Sequence, residues 1–224
     1  RTPLIVLRGY LEMMVDEGGE KNGNTGALQS WQMPIKEMST QAVRMGRIIE
    51  DLLKLARVES EGLQQKQEVI NVPQLLASLV ANAQKTDDKN RQISHEFDQS
   101  LFLHGRPGEL ESVFGNLIDN AMQYTPEGGV IKVRWWVDET AAYFSVSDTG
   151  IGIDAKYIPR LTERFYRVDP GRSSASGGTG LGLAIVKHCL EHHDAELQVA
   201  SEINVGSSFT CRFPRYRVHL RTAA

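Results

Sequence analysis

Asp148-Thr149-Gly150-Ile151-Gly152-Ile153 and, after a polar segment, Gly177-Gly178-Thr179-Gly180-Leu181-Gly182-Leu183 decide how this 224-residue chain is read. The first run follows residues 143–147, whose alternation reads as a strand. Its glycines let the backbone turn tightly and approach a flat ligand. A carboxylate at the end of a strand, beside exposed backbone, accepts a hydrogen bond from an exocyclic amine. Adenine offers that donor at N6, whereas guanine offers an acceptor at O6. Asp148 therefore predicts ATP or ADP rather than a guanine nucleotide, through a charged hydrogen bond contributing roughly 1.5–3 kcal/mol.

The second run has another task. Residues 171–180 are too polar and too rich in glycine to pack, which predicts a mobile loop acting as a lid. Beyond it Leu181, Leu183, Ala184, Ile185, Val186 and Leu190 supply the apolar face of a helix. Unpaired N–H groups at its start, near Gly180 and Gly182, favour phosphate oxygens. The chain contains no Gly-Lys pair, which excludes a Walker P-loop. A dinucleotide fingerprint would follow a strand directly, and this run follows a polar loop. Taken alone, the stretch also fits two ordinary glycine turns.

With 41% hydrophobic and 24% charged residues, the chain has enough apolar content for a sizeable soluble core in one large domain or two small ones. Its net charge of −3 and the lack of a basic stripe interleaved with aromatics argue against nucleic acid as a partner. Cys189 and Cys211 share no CxxC spacing and sit in apolar patterns, as expected in a reducing cytoplasm. No run approaches the ~20 apolar residues of a membrane span. The opening, Arg1-Thr2-Pro3, starts mid-pattern without Met, and the expectation is a fragment of a longer protein.

Leu4, Leu7, Leu11 and Met14 repeat at helical spacing, residues 16–19 end that helix, and residues 20–26 read as a flexible hairpin loop. A longer helix then runs to about Ser60 on the heptad seam Met38, Ala42, Met45, Ile49, Leu52 and Ala56, with Pro34 predicting a kink or a late start. Seams this narrow bury little alone. The predicted first domain, residues 1–62, is a helical hairpin that pairs with a second copy as a homodimeric four-helix bundle.

Residues 63–224 are predicted to form an α/β sandwich. Helices fall at 72–86, 109–123 and after the glycine run. Strands fall at 67–70, 92–98, 101–104, 130–137, 141–148, 196–201 and 207–213, largely linked by hairpins, in a sheet covered on one face. On the helix 109–123, Asn116, Asn120 and Gln123 share a polar stripe opposite the apolar face. The Asn120 amide oxygen is a suitable hard ligand for Mg²⁺, which takes the rest of its shell from phosphates and water.

Asn116-Leu117-Ile118-Asp119-Asn120-Ala121, Asp148-Thr149-Gly150-Ile151-Gly152-Ile153, Glu163-Arg164-Phe165-Tyr166-Arg167-Val168-Asp169 and Gly177-Gly178-Thr179-Gly180-Leu181-Gly182-Leu183 resemble, in order and spacing, the N, G1, F and G2 boxes of sensor histidine kinases. The start, Arg1-Thr2-Pro3-Leu4, resembles the tail of that family's H box. Residues 160–169, with Lys187-His188 and His192-His193, are most similar to the phosphate-regulon branch of the family.

The resemblance implies an ATP-binding domain of the GHKL (Bergerat) type. In it Asn120 holds Mg²⁺, Asn116 contacts the metal or the phosphates, Tyr124 packs on the nucleotide and Asp148 binds adenine N6. Gln123, Gly150, Gly152, Ile153, Arg167, Thr179 and Leu181 line the ATP/ADP site. Phe165 anchors the lid, and Gly178, Gly180 and Gly182 let it close. Gln123 stands where the family often has a cation.

The activity implied is phosphorylation of a histidine and transfer to an aspartate of a response-regulator receiver domain, in the cytoplasmic portion of an inner-membrane protein anchored through a missing N-terminal part. In gyrase and the Hsp90 chaperones a glutamate occupies the place of Asn116 and activates water. An amide is no such base, which favours a kinase over a motor ATPase. A gyrase-like ATPase and an ADP-sensing binding module are the alternatives.

The acceptor histidine of the family lies three residues before the arginine that opens this chain, so the chain as it stands is predicted not to label itself. Thr2 matches the position that supports dephosphorylation of the regulator. His95-Glu96 imitates the acceptor motif within a strand pattern. His188-Cys189-Leu190-Glu191-His192 imitates a zinc motif but reads better as histidines at a helix C-terminus.

Overall fold

The computed structural model describes residues 26–61, 66–168 and 178–220. The chain divides into two compact units, Arg1–Leu53 and Lys54–Ala224. The first helix of the hairpin and its loop, Thr2 and the central part of the lid lie outside the described residues.

Helix α1, Gly26–Glu61, is one continuous element of 36 residues. It starts well before Pro34, so the proline sits inside it rather than delaying its start. Ile49 is 54% exposed and Leu52 41%, with Ala42 and Ala56 also exposed, so the seam residues of α1 present apolar surface.

The second unit alternates helices and strands in two sheets. β1 (Glu68–Ile70), β3 (Leu101–Gly105) and β8 (Val218–Leu220) form a small antiparallel sheet in the order β1-β3-β8. β2 (Gln92–Phe97), β4 (Val130–Val137), β5 (Ala141–Asp148), β6 (Glu196–Glu202) and β7 (Gly206–Pro214) form the main sheet in the order β2-β4-β5-β7-β6. β2 and β3 are adjacent in sequence but do not pair, and β2 runs parallel to β4. The short β8 carries no periodicity long enough to announce itself, and it pairs with β3 through Leu101↔Leu220 and Leu103↔Val218.

Three helices pack on the apolar side. α2 (Val72–Thr86) starts where the Asn71 side chain accepts the Gln74 N–H at 3.2 Å, with Pro73 in the first turn. α3 (Pro107–Tyr124) buries Leu110, Val113, Phe114, Leu117, Ile118 and Ala121. α4 (Gly182–Glu191) buries Ala184, Ile185, Val186, Cys189 and Leu190. The centre of the core is aromatic: Phe114 lies 4.5 Å from Phe144 and 6.4 Å from Trp135, ring centre to centre. Full burial of each such ring is worth roughly 1.5–3 kcal/mol. Trp135 also donates its Nε1–H to the Leu101 carbonyl at 3.0 Å, joining the main sheet to the small one. Burial of one face fixes the register of the sheet, because a slip of one residue would turn every core side chain to solvent.

Candidate functional site

Packing of its apolar face turns the opposite stripe of α3 towards the glycine run. A Cβ at Gly182 would lie 2.6 Å from Asn116 Oδ1, and one at Gly178 would lie 2.9 Å from Gln123 Nε2. Asn116 donates from Nδ2 to the Ser112 carbonyl at 2.7 Å, which leaves its oxygen aimed at the start of α4. Asn116, Asn120 and Gln123 are all half-buried, so the stripe is a wall and not a solvated surface.

The end of α3 meets the turn after β5. A Cβ at Gly150 would lie 2.5 Å from the Tyr124 carbonyl oxygen, and the Ile151 N–H donates to the same oxygen at 3.4 Å. Burial pushes the Tyr124 phenol above its ordinary pKa, against the opposing pull of the Arg167 charge. Tyr124 thus abuts this turn through its carbonyl.

Asp148 closes β5, and its Oδ1 accepts the Gly150 N–H at 2.8 Å. Burial raises the carboxyl above its ordinary range, while the N–H groups of Gly150 and Ser207 pull it back. A half-buried carboxylate with only backbone donors has acceptor capacity for one more donor. Gly152 has φ +66°, and its Cα lies so close to the Glu202 carbonyl that a Cβ would overlap it. Only glycine fits there. Ile153 packs on the core, and its N–H donates to Ser201 Oγ at 2.8 Å.

At the base of the loop the Phe165 N–H donates to the Gly180 carbonyl at 2.8 Å, with φ of +62° at Phe165 and +74° at Gly180. The Phe165 ring itself is 57% exposed, so the backbone, not the ring, ties the two ends of the loop. Thr179 Oγ1 accepts the Leu181 N–H at 3.2 Å, and Leu181 is fully buried. The four motifs, scattered over some seventy residues, therefore meet around the C-terminal half of α3.

Among the described residues no group of three or more His, Cys, Asp or Glu could hold a metal ion. The oxygen donors near the start of α4 are the amides of α3, a donor set that suits Mg²⁺ shared with phosphates rather than a metal held by protein alone. His188 and His192 engage carboxylates instead: His188 Nδ1 lies 3.4 Å from Glu191 and His192 Nδ1 3.1 Å from Glu109. His95 is exposed on β2 and stacks on Phe97, with ring centres 4.7 Å apart. Sequence reasoning missed Ser201 and Ser207, whose alternation on strands gave no hint that they border the site.

Comparison with known proteins agrees with this geometry. Residues 105–217 match the family "Histidine kinase-, DNA gyrase B-, and HSP90-like ATPase", and residues 1–61 match the "His Kinase A (phospho-acceptor) domain". The chain is 46% identical over 214 residues to the phosphate regulon sensor protein PhoR of Pseudomonas aeruginosa, covering 95% of this chain and 47% of that protein. It is 35% identical over 215 residues to PhoR of Haemophilus influenzae, covering 96% and 49%. The chain thus spans about half the length of these curated relatives. Among solved structures, the Acinetobacter baumannii histidine kinase AdeS superposes with a TM-score of 0.71 at 22% identity, covering 96% of this chain and 95% of that one. Full-length ShkA in complex with AMPPNP superposes with a TM-score of 0.70 at 20% identity, covering 99% and 47%. The chain belongs to the histidine kinase-, DNA gyrase B- and HSP90-like ATPase family, in the sensor histidine kinase arrangement of a phospho-acceptor domain followed by an ATP-binding domain.

Proposed function

We propose that this chain is the kinase portion of a two-component phosphate sensor. It binds Mg-ATP between α3, the turn after Asp148 and the start of α4, and it passes the γ-phosphoryl group to a histidine and then to an aspartate of a response-regulator receiver domain. The observation that carries this reading is the facing of Asn116 and Gln123 on α3 against Gly182 and Gly178, with Tyr124 at the end of the same helix against the turn that follows the Asp148 carboxylate. The 46% identity to a phosphate regulon sensor supports the phosphate subtype.

In this reading Asp148 accepts adenine N6–H, and Tyr124, Gly150, Gly152 and Ile153 border the base. Asn116, Asn120, Gln123 and Arg167 face the phosphate tail, while Thr179, Gly180, Leu181 and Gly182 supply backbone at the start of α4. Phe165 ties the base of the lid. Asn120, with Asn116, would hold Mg²⁺, which neutralises charge on the β- and γ-phosphates when bound. With an amide at Asn116 and no carboxylate in that place, water is not activated, and the γ-phosphate persists until a protein nucleophile arrives.

The helical part, residues 1–62, pairs with a second copy, supported by the exposed apolar seam on α1. Thr2 assists the dephosphorylation of the regulator. No helix among the described residues is long and apolar enough to cross a membrane. The place proposed for this portion is the cytoplasmic side of an inner membrane, as its sensor relatives suggest.

The test is to place His-Glu-Leu ahead of Arg1 and add γ-labelled ATP. An acid-labile, base-stable label that moves to an aspartate of a receiver domain is expected, with no label on the chain as it stands. Steady phosphate release without any protein label contradicts the kinase reading, and a label on a histidine of the unextended chain contradicts the placement of the acceptor ahead of Arg1.

A further inference from the structure

The inner face of the main sheet is apolar along the rows Val137-Ala142-Phe213, Trp135-Phe144-Cys211-Leu197 and Val133-Val146-Phe209-Val199, and the next row starts with Ile131 but turns polar where Asp148 pairs with Ser207 and Ser207 with Ser201. Hydroxyls on the face that otherwise builds the core need a reason. Ser201 satisfies its capacity completely. It accepts the Ile153 N–H at 2.8 Å and donates to the Gly206 carbonyl at 3.0 Å. Its one proton is thereby used, so Ser207 Oγ, 2.9 Å away, is the donor in the third hydrogen bond.

Those partners frame the proposed adenine acceptor from both sides. Ile153 ends the turn that begins at Asp148, and Gly150 within that turn donates to Asp148 Oδ1. Ser207 is the register partner of Asp148 on the neighbouring strand, and its amide helps hold the carboxyl down against the effect of burial. The Asn204 N–H adds a bond to the Ile151 carbonyl at 2.9 Å, so the β6–β7 hairpin grips the turn at two points. Of these contacts, only the Ser201 hydroxyl touches the turn, the hairpin and Ser207 at once.

We propose that Ser201 is a positioning residue for adenine recognition, a latch that holds the turn after Asp148 against the β6–β7 hairpin and so fixes the direction in which the carboxylate faces the base. The proposal rests on the reading of Asp148 as the adenine acceptor. Ser201 itself does not contact nucleotide. Its removal leaves the Ile153 N–H and the Gly206 carbonyl without their partner, and the turn moves.

The test uses the 224-residue chain and calorimetric titration with ADP and with IDP, which carries oxygen in place of the N6 amine. Ser201→Thr keeps the hydroxyl, and Ser201→Val keeps the shape of threonine without it. Ser201→Ala removes both, and Ser208→Ala on the outer face, where the Ser208 hydroxyl bonds that of Ser147, is the control. In Ser201→Ala and Ser201→Val, ADP affinity falls roughly tenfold and the preference for ADP over IDP falls with it, as expected for a misaligned charged hydrogen bond. Ser201→Thr and Ser208→Ala retain both.

An unchanged ADP/IDP preference in Ser201→Val or Ser201→Ala overturns the proposal. So does an equal loss in Ser208→Ala, or the failure of both hydroxyl-free variants to fold while Ser201→Thr folds, which would make the role one of stability alone. Asp148→Ala, titrated in parallel, separates the two levels. If it leaves the preference intact, the adenine reading itself fails; if it abolishes the preference while the Ser201 variants keep it, only the latch fails.

Discussion

The Nε2 atom of His193, fully buried at the end of α4, accepts the backbone N–H of Arg106 at the start of α3 at 3.0 Å. That bond fixes the tautomer: Nδ1 carries the proton and donates to the Cys189 carbonyl at 2.7 Å. Around the ring stand Glu109, whose Oε1 receives Arg106 Nη1 at 2.9 Å, and Arg217, which reaches Asp194 Oδ2 at 2.6 Å. The two helices that frame the proposed phosphate site are thus pinned together at the end remote from Asn120.

Replacement of His193 by Ala leaves the Arg106 N–H and the Cys189 carbonyl unpaired in a closed pocket and opens a cavity, and a loss of about 2–4 kcal/mol is expected in urea unfolding. Desolvation holds the His193 pKa below its ordinary value, with the Cys189 carbonyl and Glu109 opposing and Arg217 and Arg106 adding to it. The unfolded chain therefore binds a proton before the folded one does. Stability conferred by neutral His193 is complete above the ordinary histidine pKa and declines as pH falls through that value towards the folded one. A fall in Tm on acidification that is reduced in His193→Gln is the expected result.

Asp148 supplies a second pH dependence with a different readout. Its carboxyl is raised by burial, so it takes up a proton at a higher pH than an ordinary aspartate. Protonation removes the acceptor for adenine N6–H. ADP affinity is expected to fall on acidification at a higher pH than an ordinary aspartate would give, and Asp148→Ala, which binds weakly, is expected to lack that component of the fall. Titration calorimetry across pH measures both.

Gly182 tests the phosphate end. A methyl group there must displace Asn116 Oδ1, which is 2.6 Å from the position a Cβ would take. Gly182 is the first residue of α4, where alanine is tolerated by the helix itself. The predicted result is an undiminished Tm with Mg-ATP affinity lowered about tenfold, equivalent to roughly 1.4 kcal/mol. A variant that binds Mg-ATP as tightly as the parent would remove Asn116 from the phosphate wall.

Trp135 carries the junction between the sheets. Its ring is 1% exposed, and its Nε1–H bonds to Leu101 in the small sheet. Trp135→Phe keeps most of the packing and loses the hydrogen bond, so a loss of about 1–2 kcal/mol is expected, against about 3–5 kcal/mol for Trp135→Ala. Chemical denaturation of the two variants gives the comparison.

Much of this was legible in the residues. The strand from Val130 to Val137 alternates because one face is buried, and α2 runs from Val72 to Thr86 as its apolar spacing predicts. The stripe of Asn116, Asn120 and Gln123 was readable because it lies opposite Leu110, Val113, Phe114 and Leu117. What escaped was non-local. Nothing near Val218 says that three residues will pair with Leu101–Gly105, and nothing near Gln92 says that β2 will leave β3 and lie parallel to β4. Ser201 escaped for the same reason, since a hydroxyl in a strand looks alike whether it faces water or the turn after Asp148.

Adenine is recognised, in the reading proposed above, through one carboxylate. Calorimetric titration of the 224-residue chain with ADP and GDP in the presence of magnesium tests this most directly. ADP is expected to bind at least about tenfold more tightly than GDP, as the loss of a charged hydrogen bond requires. Equal affinity for the two nucleotides, or no binding of either, would contradict it.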